Sequence, residues 1–144
     1  MATFVMFHEA MYNIGNGAVD MDSHTFKAVL TNSAPSQAAD DELADITQIA
    51  ASNGYTTGGV TLTGVTWAET GAGTGIWQWS CDDFSWTASG GTMPDFRYVV
   101  IYSDTSTGDK LLAYVDYGGT VQITNGNSFT VDIQSNGVVR FTVT

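Results

Sequence analysis

Alternating apolar and polar positions dominate this chain from about residue 53 to its end. Phe129, Val131 and Ile133 alternate with Thr130 and Asp132, and Val139, Phe141 and Val143 alternate with Arg140 and Thr142. A period of two puts each apolar set on one face of a β-strand. Ser135-Asn136-Gly137 separates the two runs, and Asn-Gly accepts the positive φ of a tight turn, so a closing hairpin is predicted here. Upstream, Phe96, Tyr98, Val100 and Tyr102 share one phase while Val99 and Ile101 take the other. Both faces are apolar, which predicts a central strand over 95–103. Leu111, Ala113, Val115 and Tyr117 follow in one phase, and Val121 with Ile123 makes a short strand.

The middle of the chain reads the same way. Val60 and Leu62 alternate in one phase, then Val65 and Trp67 in the other, and the flip at Gly64 is that of a β-bulge. The three glycines between Glu69 and Gly75 read as a flexible hairpin loop. Strands follow at Ile76 to Cys81, with Trp77 and Trp79 on one face, and at Phe84 to Thr87. An earlier strand spans about His24 to Thr31.

Two segments break the period. Phe4, Phe7, Met11 and Ile14 recur at spacings of three and four, which predicts an amphipathic helix from Ala2 to about Ile14, capped by Thr3 and ended by Gly15-Asn16-Gly17. Gln37 to Ile49 is acidic and Ala-rich. A short helix opened by Asp40, Asp41 and Glu42 would set those charges favourably against its dipole, and an exposed loop is the alternative. The sum is a single all-β domain over 1–144. It is a β-sandwich or jelly-roll-like fold of about eight antiparallel strands over 24–144, with a short N-terminal α-helix or arm over 1–17.

Charge narrows the function. Charged residues are 13% of the chain, with 15 acids against four bases, Lys27, Arg97, Lys110 and Arg140, for a net charge of -11. Nucleic acid requires clustered Lys and Arg to displace counterions from phosphates, and an anionic membrane surface asks for the same, so neither is an expected partner. The first residues lack the basic and apolar regions of a signal peptide, and no apolar run approaches a membrane span; synthesis in the cytoplasm is expected. Polarity comes instead from Thr, Ser, Asn, Gln and Gly, short side chains that lose little rotamer entropy when packed against a neighbour.

Catalytic signals are sparse. His8 and His24 have no metal-ligand spacing, and both read as surface or capping residues. No serine elbow, phosphate loop or dinucleotide fingerprint is present. Asp82-Asp83, Asp40-Asp41-Glu42 and Asp20-x-Asp22 offer acid pairs of the kind a glycan hydrolase or a Ca²⁺ loop uses, but solvated turns account for them. Neighbours on a regular strand face opposite ways, so Asp82 and Asp83 would not share a cleft. Cys81 is the one cysteine. It reads as a buried, inert thiol, with an intermolecular disulfide or a nucleophile as the alternatives. Catalytic residues, cofactors and metals are all expected to be none. Trp67, Trp77, Trp79 and Trp86 fall within twenty residues of one another. They would fill the core, meet another subunit, or form a sugar-stacking platform.

Four stretches, in order along most of the chain, carry a resemblance. They are the opening helix with Met21-Asp22-Ser23-His24-Thr25-Phe26-Lys27-Ala28-Val29-Leu30, then Gly54-Tyr55-Thr56-Thr57-Gly58-Gly59-Val60-Thr61-Leu62, then Phe96 to Asp104 continuing through Leu111 to Gly118, and last the Asn136-Gly137 turn. On these the chain resembles a group of small structural proteins encoded by tailed bacteriophages among their virion genes. The resemblance implies a virion component with no catalytic residues to carry over, found in the particle. The expected role is a capsid decoration or cement protein that binds the major capsid protein, as a homo-oligomer with a trimer favoured. A tail or fibre component touching the host surface or its carbohydrate is the alternative. The candidate contact residues are Phe4, Phe7 and Met11 of the helix and Trp77 and Trp79 of the Trp-rich strands. The Trp-rich middle itself is not matched to the family pattern.

Overall fold

A computed structural model describes residues 2–144. The fold is all-β and antiparallel, with one α-helix, and its strands form a sandwich-like arrangement around a single hydrophobic cluster. In chain order the elements are β1 (Val5–Met6), α1 (His8–Gly15), β2 (Phe26–Thr31), a 3-10 turn (Leu43–Asp45), β3 (Val60–Thr61), β4 (Thr66–Glu69), β5 (Ile76–Ser80), β6 (Phe84–Thr87), β7 (Phe96–Ser103), β8 (Leu111–Val121), β9 (Ser128–Val131) and β10 (Val139–Thr142). They form a five-stranded sheet in the order β1-β8-β7-β2-β3, a three-stranded sheet β10-β5-β4 and a two-stranded sheet β6-β9.

β7 is interior, as its doubly apolar pattern requires, flanked by β2 and β8 along most of its length. Phe26, Ala28 and Leu30 of β2 stand opposite Ser103, Ile101 and Val99. On this face Phe26 meets Trp79 of the three-stranded sheet edge-on, ring centroids 4.7 Å apart. On the other face the Tyr102 hydroxyl donates to Gly58 O at 2.9 Å, and the Tyr55 hydroxyl accepts from Leu30 N at 3.3 Å. These bonds tie the long 32–59 connection to β2 and β7. The two-stranded sheet joins through Phe129, packed edge-on against Phe96 and Tyr117 at 5.1 and 5.0 Å. Gly59 marks the tightest approach: its φ is +71°, and a Cβ there would stand 1.7 Å from Ala28 O.

Five expectations change. The helix starts at His8 rather than Ala2, because Val5 and Met6 pair with Tyr114 and Ala113 at the edge of the large sheet. Phe7 N continues that ladder to Leu112 O at 3.1 Å, so sheet pairing outweighs a helical spacing that aromatic and β-branched residues support only weakly. Phe7 occupies the N-cap position, and no side chain caps this end. In the acidic segment the only helical part is the single 3-10 turn. There the Asp45 carboxylate accepts from Asp41 N and Glu42 N at 2.9 and 3.0 Å. The phase flip at Gly64 is no bulge: β3 belongs to the five-stranded sheet and β4 to the three-stranded one, so Gly64 lies in a crossover. The predicted closing hairpin is overturned. Its turn exists, with Gly137 at φ +69° and Gly137 N bonded to Gln134 O at 2.8 Å. The strands it joins separate, β9 to β6 and β10 to β5. In addition, Val121 completes β8 rather than starting a strand with Ile123.

Two stability predictions follow from burial. Trp79 has no exposed surface, so Trp79→Ala is expected to cost about 3–5 kcal/mol in urea unfolding. Trp77, two residues away and partly solvated, should cost about 1–2 kcal/mol, because less of its surface leaves water on folding. The second concerns pH. Cys81 lies in the short link between β5 and β6, and burial, reinforced by Asp82 and Asp83, pushes its thiol up to about 12. Burial likewise pushes Tyr55 and Tyr117 up to about 12. The unfolded chain sheds these protons first, from the ordinary values of 9.0 for Cys and 10.0 for Tyr. Stability is therefore whole below pH 9 and declines as pH rises towards 12. Urea midpoints measured across this range should fall, and in Cys81→Ala the fall should begin near pH 10 instead of pH 9.

Candidate interaction surface

Strand pairing fixes which aromatics share a face. Trp67 stands opposite Trp79, Trp77 opposite Glu69 on one side and opposite Phe141 on the other, and Val139 opposite Trp79. Directly opposed residues lie on the same face, so Trp67, Trp77, Trp79, Val139 and Phe141 form one apolar surface. Its inner part, Trp79 and Val139, is buried in the core. Its outer part runs past the core, where Trp67 packs against Trp77 at 5.7 Å and edge-on against Phe141 at 5.6 Å.

Helix α1 borders this outer part. Its Ala10 and Asn13 face inward, and Asn13 Nδ2 donates to Asp41 at 2.6 Å. Met11 is 50% exposed and Tyr12 66%. Met11, Ile14 and Gly15 line one wall of an open groove of about 390 Å³, and Trp67, Trp77 and Phe141 line the other. Large apolar side chains gathered in one concave place are the kind of surface at which interaction sites form.

Of the five candidate contact residues, two come together here. Met11 and Trp77 line opposite walls of the groove. Phe7 is 1% exposed and packs against Tyr114 at 5.1 Å, and Trp79 is fully buried, so neither side chain presents a surface to a partner. Phe4 is half-buried and lines a separate depression with Arg140 and the 134–138 turn. Ile14, Trp67 and Phe141 complete the groove. The helical spacing pointed to Ile14, but Phe141 required the β5–β10 pairing that the predicted hairpin concealed.

Most members of the acid clusters are engaged in local structure. Asp20 accepts from Asp22 N and Ser23 N at 2.9 and 3.1 Å, and the Ser23 hydroxyl, with those two N–H groups, lowers its carboxyl below the ordinary range. Asp41 and Glu42 both bind the Lys110 ammonium, which they hold in its charged form by raising its pKa. Asp82 accepts from the Thr63 hydroxyl at 3.0 Å and Asp83 from Ile133 N at 2.8 Å, towards different segments, as their adjacency requires. His24 Nδ1 lies 2.8 Å from Ser103 Oγ, yet Ser103 is fully buried and also accepts from Ser106 N at 3.2 Å. That pair fastens the start of β2 to the end of β7. His8 is exposed at the first turn of α1. A larger depression of about 450 Å³ is lined by residues that include His24, Glu42, Thr105, Ser106, Thr107 and Lys110.

Among the described residues no group of three or more His, Cys, Asp or Glu is placed to hold a metal ion, and no helix is long and apolar enough to cross a membrane. No protein-family model, curated protein or solved structure matches this chain.

Proposed function

We propose that this chain is a non-enzymatic structural protein of a tailed-phage particle that decorates the capsid shell and stabilises it by binding the major capsid protein. One observation carries the reading: a preformed apolar groove, walled by Met11, Trp67, Trp77 and Phe141, opens on the surface of the domain. A large aromatic in a rigid apolar setting is the typical anchor of a protein interface. The mechanism is mass action. A protein that binds the assembled shell and not its free subunits stabilises the shell, by about 2.7 kcal/mol per site at a free concentration 100 times its dissociation constant. A trimer placed at a local three-fold point matches such a shell, and the family resemblance favours it.

A tail or fibre component in contact with carbohydrate is the second reading, and the tilted Trp67–Trp77 pair favours it as a stacking surface. Against it stands the lining of the groove itself, where the indole N–H groups are the polar side-chain atoms among the lining residues and the nearest carboxylates, Asp20 and Asp22, lie in the adjoining concavity. Sugar rings need hydrogen-bond partners around their edges, whereas an apolar protein side chain does not.

The test is made on purified particles. Mass spectrometry is expected to find the chain in the head fraction at a copy number comparable to that of the major capsid protein. Recovery in the tail fraction alone, or absence from particles, would overturn the proposal. In a binding assay with shells of the major capsid protein, Trp77→Ala should weaken association about thirtyfold, the effect of removing a roughly 2 kcal/mol hot spot.

A further inference from the structure

The groove does not stand alone. Ile14 and Trp67 also line an adjoining concavity of about 300 Å³ whose remaining walls include Val19, Met21, Asp20 and Asp22. The apolar floor thus runs directly into a pair of exposed carboxylates, and no basic side chain lines either concavity. The bases are engaged elsewhere. Lys27 pairs with Asp104 at 3.3 Å, Arg97 with Asp116 at 2.7 Å, and Lys110 with Asp41 and Glu42. Arg140 makes no ion pair among the described residues, and it lies on the opposite face of β10 from Phe141.

We propose that this continuous surface takes a segment of another protein in which an apolar side chain fills the groove and neighbouring lysines or arginines meet Asp20 and Asp22. The inference rests on the reading of this face as a protein interface and adds the chemistry of what covers it. Charge selects this occupant over the others. A second copy docked face to face would carry its own -11 charge and set its carboxylates near these, a like-charge arrangement that costs affinity. An anionic lipid surface is repelled for the same reason. A segment with an apolar side chain and flanking cations gains apolar burial in the first concavity and charge pairing in the second, and neutralises part of a surplus that the chain's own bases do not reach.

The experiment uses the full chain and three acetylated, amidated eight-residue peptides. All share a central Leu-Phe pair, flanked by lysines, glutamines or glutamates, and binding is read from indole fluorescence and calorimetry. The lysine peptide is expected to bind about fivefold more tightly than the glutamine peptide, the advantage two exposed charge pairs supply, and the glutamate peptide more weakly than either. Raising NaCl from 50 to 500 mM should erase the difference between the lysine and glutamine peptides while leaving the glutamine peptide little changed.

Asp20→Asn with Asp22→Asn should likewise bring the lysine peptide to the affinity of the glutamine one. Asn keeps the acceptor oxygen that the turn at Asp20 uses, and a thermal melt verifies the fold. Trp77→Ala and, on the exposed helix face, Met11→Gln should weaken all three peptides. A flat peptide series, no binding of the lysine peptide, or an unchanged preference in the Asn variant would overturn the inference. So would sedimentation showing a dimer that Met11→Gln dissolves. The capsid reading fails separately: a chain that prefers the lysine peptide but does not join shells loses that function and keeps the groove chemistry. A chain that joins shells with a flat peptide series does the reverse.

Discussion

The contact between Phe26 and Trp79 couples the two main sheets of the fold. Both side chains are fully buried, and their rings meet edge-on at 4.7 Å, the geometry in which the positive rim of one ring faces the negative face of the other. Phe26 begins β2, and Trp79 lies on the central strand of the three-stranded sheet, so one contact registers the large sheet against the small one. Each partner has a fixed neighbourhood. Phe26 stands opposite Ser103 on β7, and Trp79 stands between Trp67 and Val139. Loss of Trp79 would remove the floor on which the outer aromatics rest, because Trp67 and Trp77 continue the same face.

Electrostatics contributes through economy. Three of the four bases are spent holding distant segments together. Lys110 anchors the 41–42 segment to the β7–β8 turn, Arg97 makes two parallel bonds to Asp116 across β7 and β8, and Lys27 meets Asp104 beyond the end of β7. The Lys110 cluster extends to Asn13 through Asp41, so it also orients α1 and the wall of the groove that α1 supplies. Solvent-screened pairs such as Arg97–Asp116 contribute little individually. Their collective effect on charge is larger, since Asp20 and Asp22 near the groove are left without an ion pair among the described residues.

Sequence periodicity identified most strands, and it failed where pairing is non-local. The central β7 was legible because both of its phases are apolar, and β6 and β5 were legible from alternation. The 135–137 turn was legible as well, yet a turn specifies only that the chain reverses. Phe129 and Val131 find Trp86 and Phe84, while Phe141 and Val139 find Trp77 and Trp79, and these aromatic pairings outweigh pairing between the two neighbouring strands. The N-terminal misreading has the same origin. Phe4, Phe7 and Met11 fit a helix, but an open edge of β8 accepts Val5 and Met6 first. Met11 and Trp77 were identifiable as contact candidates from exposure-neutral cues, namely periodicity and aromatic clustering. Separating Trp77 from its buried neighbour Trp79 required knowing where the covering sheet ends.

That ending explains how a core residue type comes to line a surface. Trp77 and Trp79 point the same way from β5, and what differs is what lies beneath them. Trp79 meets Phe26, whereas Trp77 lies beyond the cover of β2 and meets Trp67, Phe141 and, across the groove, Met11. The groove is therefore an uncovered continuation of the core. Its aromatic wall is held by strand pairing, so binding at this face would order few side chains and lose little conformational entropy. Met11 is the exception, an unbranched side chain on an exposed helix face that can adapt to the shape of what enters. A rigid aromatic wall facing one adaptable thioether suits recognition of an apolar side chain by fit. In the proposed interface, discrimination between partners would fall to the carboxylates of Asp20 and Asp22 at the open end.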